Sequence, residues 1–249
     1  MTEVRDGVAV VTLNRPRVRN AVNQAIAGGV AAAMDEFDAR DDVRAIIITG
    51  AGPTFCSGMD LKAFLAGEIP SIPGRGLAGL TEAPPKKPLI AAIEGHVLAG
   101  GFEIALACDL IVASESATFG LPEVKRGLVA AGGGLLRLPT RIPYQVALEA
   151  ALTGNPLTAQ RAYSLGLANR LTDPGMALEG ARELAREIAE NGPLAVQVTK
   201  QIVSESAEWS REDMWDRQAQ FSGPVFISED AQEGAQAFAQ KRSPKWTGR

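Results

Sequence analysis

The apolar positions of this chain fall first in short continuous blocks and later at helical spacing. Val8-Ala9-Val10-Val11-Thr12-Leu13 follows Asp6-Gly7, which predicts a β-hairpin whose second strand ends at Asn14-Arg15-Pro16. From Asn23 to Arg40, Ile26, Val30, Ala33, Met34 and Phe37 recur every three or four residues and predict a helix with one buried face. Blocks at 43–49, 89–93 and 110–113 are apolar at successive positions, so neither face of such a strand suits water. Strands of that kind, alternating with helices, predict an α/β fold with a parallel sheet covered on both sides.

From about residue 143 the spacing turns helical, over 143–152, 158–165, 175–190, 193–206, 208–220 and 229–240. The expected organisation is a core over 1–192 followed by a helical region over 193–249. The segment 67–88, "GEIPSIPGRGLAGLTEAPPKKP", is too long and irregular for a plain connector. It is expected to form a mobile wall of a binding site. No repeat of fixed period and no low-complexity tract interrupts this plan.

Composition narrows the class. The chain has 249 residues, 46% hydrophobic and 22% charged, with net charge −4, an ordinary balance for a protein with one large core. Excess negative charge argues against a nucleic-acid surface or an anionic membrane as partner. The basic clusters (Arg15, Arg17 and Arg19; Lys86 and Lys87) are short, and suit a solvated face or a phosphate contact. No apolar run is long enough for a membrane span, and no charged-then-apolar leader precedes the hairpin. Cys56 and Cys108 lack metal-ligand spacing and read as reduced thiols, so a cytoplasmic location is expected.

Gly50-Ala51-Gly52 after a β-branched run looks like the opening of a dinucleotide fingerprint. The third small residue is missing, however: Phe55 stands there, and Pro53 removes an amide that a pyrophosphate would need. Three other stretches carry more chemistry. They are Phe55-Cys56-Ser57-Gly58-Met59-Asp60-Leu61-Lys62; Gly95-His96-Val97-Leu98-Ala99-Gly100-Gly101-Phe102-Glu103; and Phe119-Gly120-Leu121-Pro122-Glu123, followed by Gly132-Gly133-Gly134. Backbone amides at a glycine-rich turn or a helix start are donors for an oxyanion. Glu103 follows Gly100 by three residues and so shares its helix face, and Glu123 offers a second carboxylate for proton transfer. Each signal has a bland reading, since a glutamate near a helix start is favoured by the dipole alone. The lone His96 reads as a packed or hydrogen-bonded residue rather than a base.

Taken in order, these stretches resemble the enoyl-CoA hydratase/isomerase (crotonase) superfamily. "LNRPRVRNAVN" is similar to its early strand-to-helix junction, and "FCSGMDLK" and "GHVLAGGFEIALACDLIVAS" to its two oxyanion-hole segments. "FGLPEVKRGLVAAGGGLLRLP" is similar to its second-glutamate region, and "SEDAQEGAQAFAQKRSPKW" to its closing helix. The resemblance implies an α/β crotonase-like spiral of repeated ββα units with a C-terminal helical trimerisation region. It implies catalytic Glu103 and Glu123, oxyanion donors at the Met59 and Gly100 amides, and contacts to coenzyme A or substrate from Arg19, Ala21, Asp60, Leu61 and Lys62. Phe238 and Lys241 would reach a neighbouring subunit's CoA in a trimer or dimer of trimers.

The implied reaction is syn addition of water to a 2-enoyl-CoA without metal or redox cofactor, coenzyme A being part of the substrate. Features shared with carnitinyl-CoA dehydratase-like members, among them "LLRLP", keep crotonobetainyl-CoA hydration or double-bond isomerisation as alternatives. A non-catalytic or RNA-binding member is the alternative of another class.

Overall fold

The computed structural model describes residues 1–249. The hairpin forms where the sequence places it, between β1 (Thr2–Arg5) and β2 (Val8–Leu13). Asp6 and Gly7 both take positive φ, 51° and 76°, the condition for a tight turn that matches strand twist. Helix α1 (Gln24–Ala39) follows, opened by Asn23, whose side chain accepts the Ile26 N–H.

Next come β3 (Ala45–Gly50), the short α2 (Leu61–Leu65), and the two-residue strands β4 (Ser71–Ile72) and β5 (Gly76–Leu77). They are followed by β6 (Leu89–Ile93), β7 (His96–Leu98), α3 (Gly100–Ala107), β8 (Leu110–Ser114) and β9 (Thr118–Gly120). The rest comprises α4 (Gly134–Arg141), α5 (Tyr144–Thr153), β10 (Leu157–Thr158), α6 (Ala159–Ser164), β11 (Arg170–Thr172) and α7 (Ala177–Ala189). The chain closes with α8 (Pro193–Glu205), α9 (Met214–Phe226) and α10 (Glu229–Ala239).

The main sheet has the order β1-β2-β3-β6-β8-β11 and is parallel except at the hairpin. Because side chains alternate across a strand, its apolar runs feed two layers. Val8, Val10, Ile47, Ile90, Ala92 and Val112 face α7, which meets them with Ala181 and Ala185. Gly180 lets that helix lie close, since a Cβ there would sit 2.6 Å from Thr172 Cγ2. Val11, Ile46, Ile48, Ala91 and Ile111 point the other way, into the larger core shared with α1 and α3. A second sheet, β10-β9-β7, stacks beyond α3 and carries the turns that matter for chemistry.

Two expectations change. The helix expected over 208–220 starts at Met214 and continues through Pro224 to Phe226. Ser210 Oγ accepts the Asp213 N–H at 3.1 Å and holds the intervening turn out of the helix, while Trp209 stacks on Phe221 instead. The wall over 67–88 is tied down rather than hanging free. Arg75 bonds Gly79 O at 3.0 Å and Asp35 of α1 at 2.5 Å, and Arg137 bonds Thr81 O at 2.6 Å.

The helical end is also fastened. Lys200 of α8 reaches Asp109 at 2.6 Å and the Pro85 and Lys87 carbonyls, and Trp246 donates to Glu190 O at 2.7 Å. No helix is long and apolar enough to cross a membrane.

Candidate active site

The site begins where β3 ends. A side chain on Gly50 would lie 2.2 Å from Phe55 O, so this glycine serves a folded-back loop rather than a pyrophosphate. Buried Asn20 holds that loop by donating to Ala51 O at 3.0 Å and Thr54 O at 2.7 Å, and accepts from the Arg15 amide at 2.9 Å. The chain then runs over Cys56–Asp60 as an extra strand between two neighbours. Cys56 N–H donates to His96 O and Leu98 N–H to Cys56 O on one side. Ser57 N–H donates to Arg19 O, Val22 N–H to Gly58 O and Asp60 N–H to Val22 O on the other. That pattern skips one group: the Met59 N–H makes no hydrogen bond within the chain.

The second free amide arises from a helix start. Ala99 N–H donates to Gly120 O at 2.8 Å, and α3 opens at Gly100. As a first-turn residue Gly100 has no intrahelical acceptor, and no other acceptor takes its N–H. The two segments meet because Gly58, at φ 96°, has no side chain. A Cβ there would lie 2.7 Å from Ala99 Cβ and 3.0 Å from Gly100 N. Ala99 itself sits at φ 51° and ψ −129°, a conformation that suits glycine.

Glu103 is buried one turn into α3, and its Oε1 accepts the Gly134 N–H at 2.9 Å. Gly132 and Gly134 leave room for this carboxylate. A Cβ on Gly132 would lie 2.8 Å from Glu103 Oε2, and one on Gly134 2.9 Å from Glu103 Cγ. Burial raises the Glu103 pKa, opposed by hydrogen bonds from the Gly134 and Gly132 amides and by the Arg137 charge.

Glu123 stands on the 3-10 turn Pro122–Arg126. Burial, aided by the Glu103 charge, pushes its pKa up to about 7 against a hydrogen bond from its own backbone. Its Oε2 is buried without a partner, as a carboxyl would be that waits for a water or a substrate atom.

Both glutamates and both free amides line one cavity of about 670 Å³. Of the other residues expected at the site, Arg19 and Leu61 line it too. Ala21 and Asp60 are engaged just behind it. Arg15 Nη1 donates to Ala21 O at 2.7 Å and to Asp60 Oδ2 at 2.9 Å, and Asp60 Oδ1 caps α2 through the Lys62 and Ala63 amides. These contacts lower the Asp60 pKa, the Arg15 hydrogen bond most of all.

Lys62 is exposed on α2, and Phe238 and Lys241 are exposed at the far end of α10. None of the three lines the cavity of its own chain. The cavity also holds Phe64, Leu77, Glu82 and Arg126, which were not singled out from the sequence. The Glu123-to-Arg126 spacing, one 3-10 turn, could have found Arg126. Nothing in the irregular 67–88 segment marks Glu82.

Residues 3–249 match the family model described as Enoyl-CoA hydratase/isomerase. The chain belongs to that family. Among curated relatives it is similar to a carnitinyl-CoA dehydratase of Proteus mirabilis, 42% identical over 98% of this chain and 97% of that one. It is also similar to the enoyl-CoA hydratase EchA19 of Mycobacterium tuberculosis, 40% identical over 100% and 96%. Among solved structures, an enoyl-CoA hydratase from Mycobacterium tuberculosis H37Rv superposes with TM-score 0.98 at 57% identity, covering 100% of this chain and 98% of that one. A carnitinyl-CoA hydratase from Mycobacterium avium gives 0.80 at 43% identity, with coverage of 100% and 98%. Membership accounts for the architecture. What this chain acts on has to be argued from its own cavity.

Proposed function

We propose that the protein is a hydro-lyase that adds water syn across the 2,3-double bond of a 2-enoyl-CoA, giving a 3-hydroxyacyl-CoA. One observation carries the reading. Two unbonded amides, Met59 N–H and Gly100 N–H, share a cavity with two carboxyl groups, the buried Glu103 and the half-buried Glu123. The names of the family and of the relatives support the same reaction class.

In this mechanism the thioester oxygen lies between the two amides, which stabilise the enolate that forms when C3 is attacked. Donors of this kind contribute roughly 2.7–4 kcal/mol each in comparable sites. Glu103, held ionisable by the Gly132 and Gly134 amides, takes a proton from the water as its oxygen bonds to C3. Glu123, whose pKa of about 7 leaves it partly protonated at neutral pH, gives its proton to C2. A proton then passes between the two carboxyl groups and restores the starting state. The chain's own groups supply every step.

The segments around Arg19, Ala21 and Asp60–Lys62 flank the thioester end and are assigned to coenzyme A. The Arg15–Asp60 pair keeps them in register. We assign assembly to the exposed apolar residues of the helical end. Trp215, Phe226 and Phe238 are 68%, 79% and 88% exposed, far more than a solvated helix needs. A trimer, alone or paired, would cover them and bring Phe238 and Lys241 to a neighbour's CoA.

A panel of enoyl-CoA chain lengths tests the function, followed by loss of the conjugated thioester absorbance. Turnover of short or medium chains to the 3-hydroxyacyl product is expected. Conversion to a 3-enoyl isomer without hydration would overturn it.

A further inference from the structure

Arg137 of α4 turns its side chain back onto the start of its own helix. Its N–H donates to Gly133 O at 3.0 Å, and its guanidinium lies over Gly133, where a Cβ would collide with Nη1. Gly133 also sits at φ 97°, so the overlap and the backbone both require glycine there. The guanidinium makes one hydrogen bond, from Nη2 to Thr81 O at 2.6 Å, and pairs with no carboxylate directly.

The glycines on either side of Gly133 are the ones that touch Glu103. Gly134 N–H donates to Glu103 Oε1 at 2.9 Å, and the Cβ position of Gly132 lies 2.8 Å from Glu103 Oε2. Leu77 of the 67–88 wall rests on the same turn, its Cδ2 also 2.8 Å from the Cβ position of Gly132. Arg137 therefore joins three things that must keep their places together: the glycine turn, the buried Thr81 of the wall, and the carboxylate between them.

We propose that Arg137 is a positioning residue of the hydration reaction: pinned to Thr81 O, its guanidinium holds the glycine turn on Glu103 and keeps that carboxylate charged. This rests on the hydratase reading and adds to it the group that sets the state of the base. A cation in a partly buried site acts over several ångströms without touching its target. Its charge opposes the effect of burial on the Glu103 pKa, as the two glycine amides do.

The other charges around Glu103 are placed to do less. On α4, Arg141 Nη1 is taken by Cys108 O at 3.0 Å, and on β7 the exposed His96 bonds Thr118 Oγ1 at 2.8 Å. On the wall, Arg75 pairs with Asp35 at 2.5 Å, while Glu82 bears the wrong sign to favour a second carboxylate. Across the cavity, Arg126 Nη1 folds back on Lys125 O at 3.2 Å, and Arg19 lies at the thioester end. Glu123 is a like charge whose own pKa rises when Glu103 is ionised.

The test compares the full-length wild type with Arg137→Gln, which keeps a donor for Thr81 O but no charge, and Arg137→Lys, which keeps the charge but not the fork. Arg137→Met keeps the aliphatic stem and serves as the neutral variant if Arg137→Gln does not fold. Hydration of crotonyl-CoA is followed against pH. Glu103 must be ionised to accept the water proton, so a raised pKa moves the acidic limb to higher pH. The neutral variant is expected to move that limb up by at least about half a pH unit, which is about a threefold fall in kcat on the acidic side, with KM little changed. Arg137→Lys should lie nearer the wild type. Carbon NMR of labelled glutamate carboxyls, with the Glu103 signal assigned by its loss in Glu103→Gln, should show the same displacement without substrate.

A limb and a Glu103 titration that stay at wild-type values in the neutral variant overturn the proposal, whatever happens to Tm. Equal displacement in Arg137→Lys and Arg137→Gln overturns it as well, since the geometry of the fork and not its charge would then govern Glu103. Absence of crotonyl-CoA hydration in the wild type overturns the hydratase reading, and the carbon titration then decides on Arg137 without turnover.

Discussion

Glu103 and Glu123 differ in how they are held, and the proposed mechanism rests on that difference. Glu103 accepts glycine amides that favour its charged form, whereas Glu123 has an unpartnered buried oxygen and a pKa raised to about 7. Glu103→Gln and Glu123→Gln should each lower kcat by at least about 10²-fold, the scale of general acid–base work, while melting close to the wild type at pH 5. Near wild-type turnover in either variant would remove that residue from the mechanism.

The same shift bears on stability. A carboxyl whose pKa is raised by folding holds its proton more tightly in the native state. Its contribution is therefore fully present below the unfolded value and is lost as pH rises through about 7. Melting curves should show Glu123→Gln gaining on the wild type between pH 5 and pH 8. A gap that stays constant would mean that Glu123 titrates like a surface carboxyl. Ala99 offers a separate measurement. At φ 51° its methyl group costs of order 1 kcal/mol relative to glycine, so Ala99→Gly should raise Tm by a few degrees. An unchanged or lower Tm would show that its methyl contacts outweigh the backbone strain.

At the scale of elements, the site depends on three segments that are distant in sequence and hydrogen-bonded in space. Residues 19–22, 56–60 and 96–100 form a small parallel arrangement, and Asn20 fastens the loop that brings the middle one in. Asn20→Ala would leave the Ala51 and Thr54 carbonyls and the Arg15 amide without their partner inside the fold. A loss of about 2–4 kcal/mol in urea unfolding is expected, together with a fall in kcat as Met59 loses its position. Normal stability with normal turnover would show that the loop holds itself. The buried helix α3 explains why this precision is possible: all eight of its residues are buried, so the Gly100 amide is aimed by a rigid element.

For the whole molecule, the distribution of apolar surface is the main clue. The sheet and its flanking helices bury their apolar faces, yet α9 and α10 leave Trp215, Phe226, Ile227 and Phe238 between 68% and 88% exposed. That surface predicts self-association, and light scattering should find the trimer proposed from the family resemblance, or a multiple of it. Lys241→Ala should raise KM more than it lowers kcat, because a contact to a remote phosphate stabilises ground state and transition state alike. Deleting residues 222–249 should damage assembly and turnover together, since Trp246 also fastens the tail to Glu190, just after α7. A stable wild-type monomer, or unchanged kinetics after the deletion, would sink the shared-site reading.

Sequence alone determined whatever depends on neighbours along the chain. The turn at Asp6-Gly7, the α1 face, the doubly apolar strands and the helical last third all follow from local conformational preference and periodicity. The motifs carrying Met59, Gly100, Glu103 and Glu123 were legible because glycine is required where backbones approach closely. The start of α9 was not legible, since a competing Ser210 turn delays a helix whose periodicity begins earlier.

Only the tertiary structure decided which amides stay free. That depends on what each neighbouring strand takes: Val22 and His96 bond the groups around Met59 and leave its own N–H unclaimed. Local pattern specifies which groups a chain carries. Long-range packing determines which of them are left over for a substrate, because hydrogen bonds and ion pairs are allotted between segments that meet only once the chain has folded.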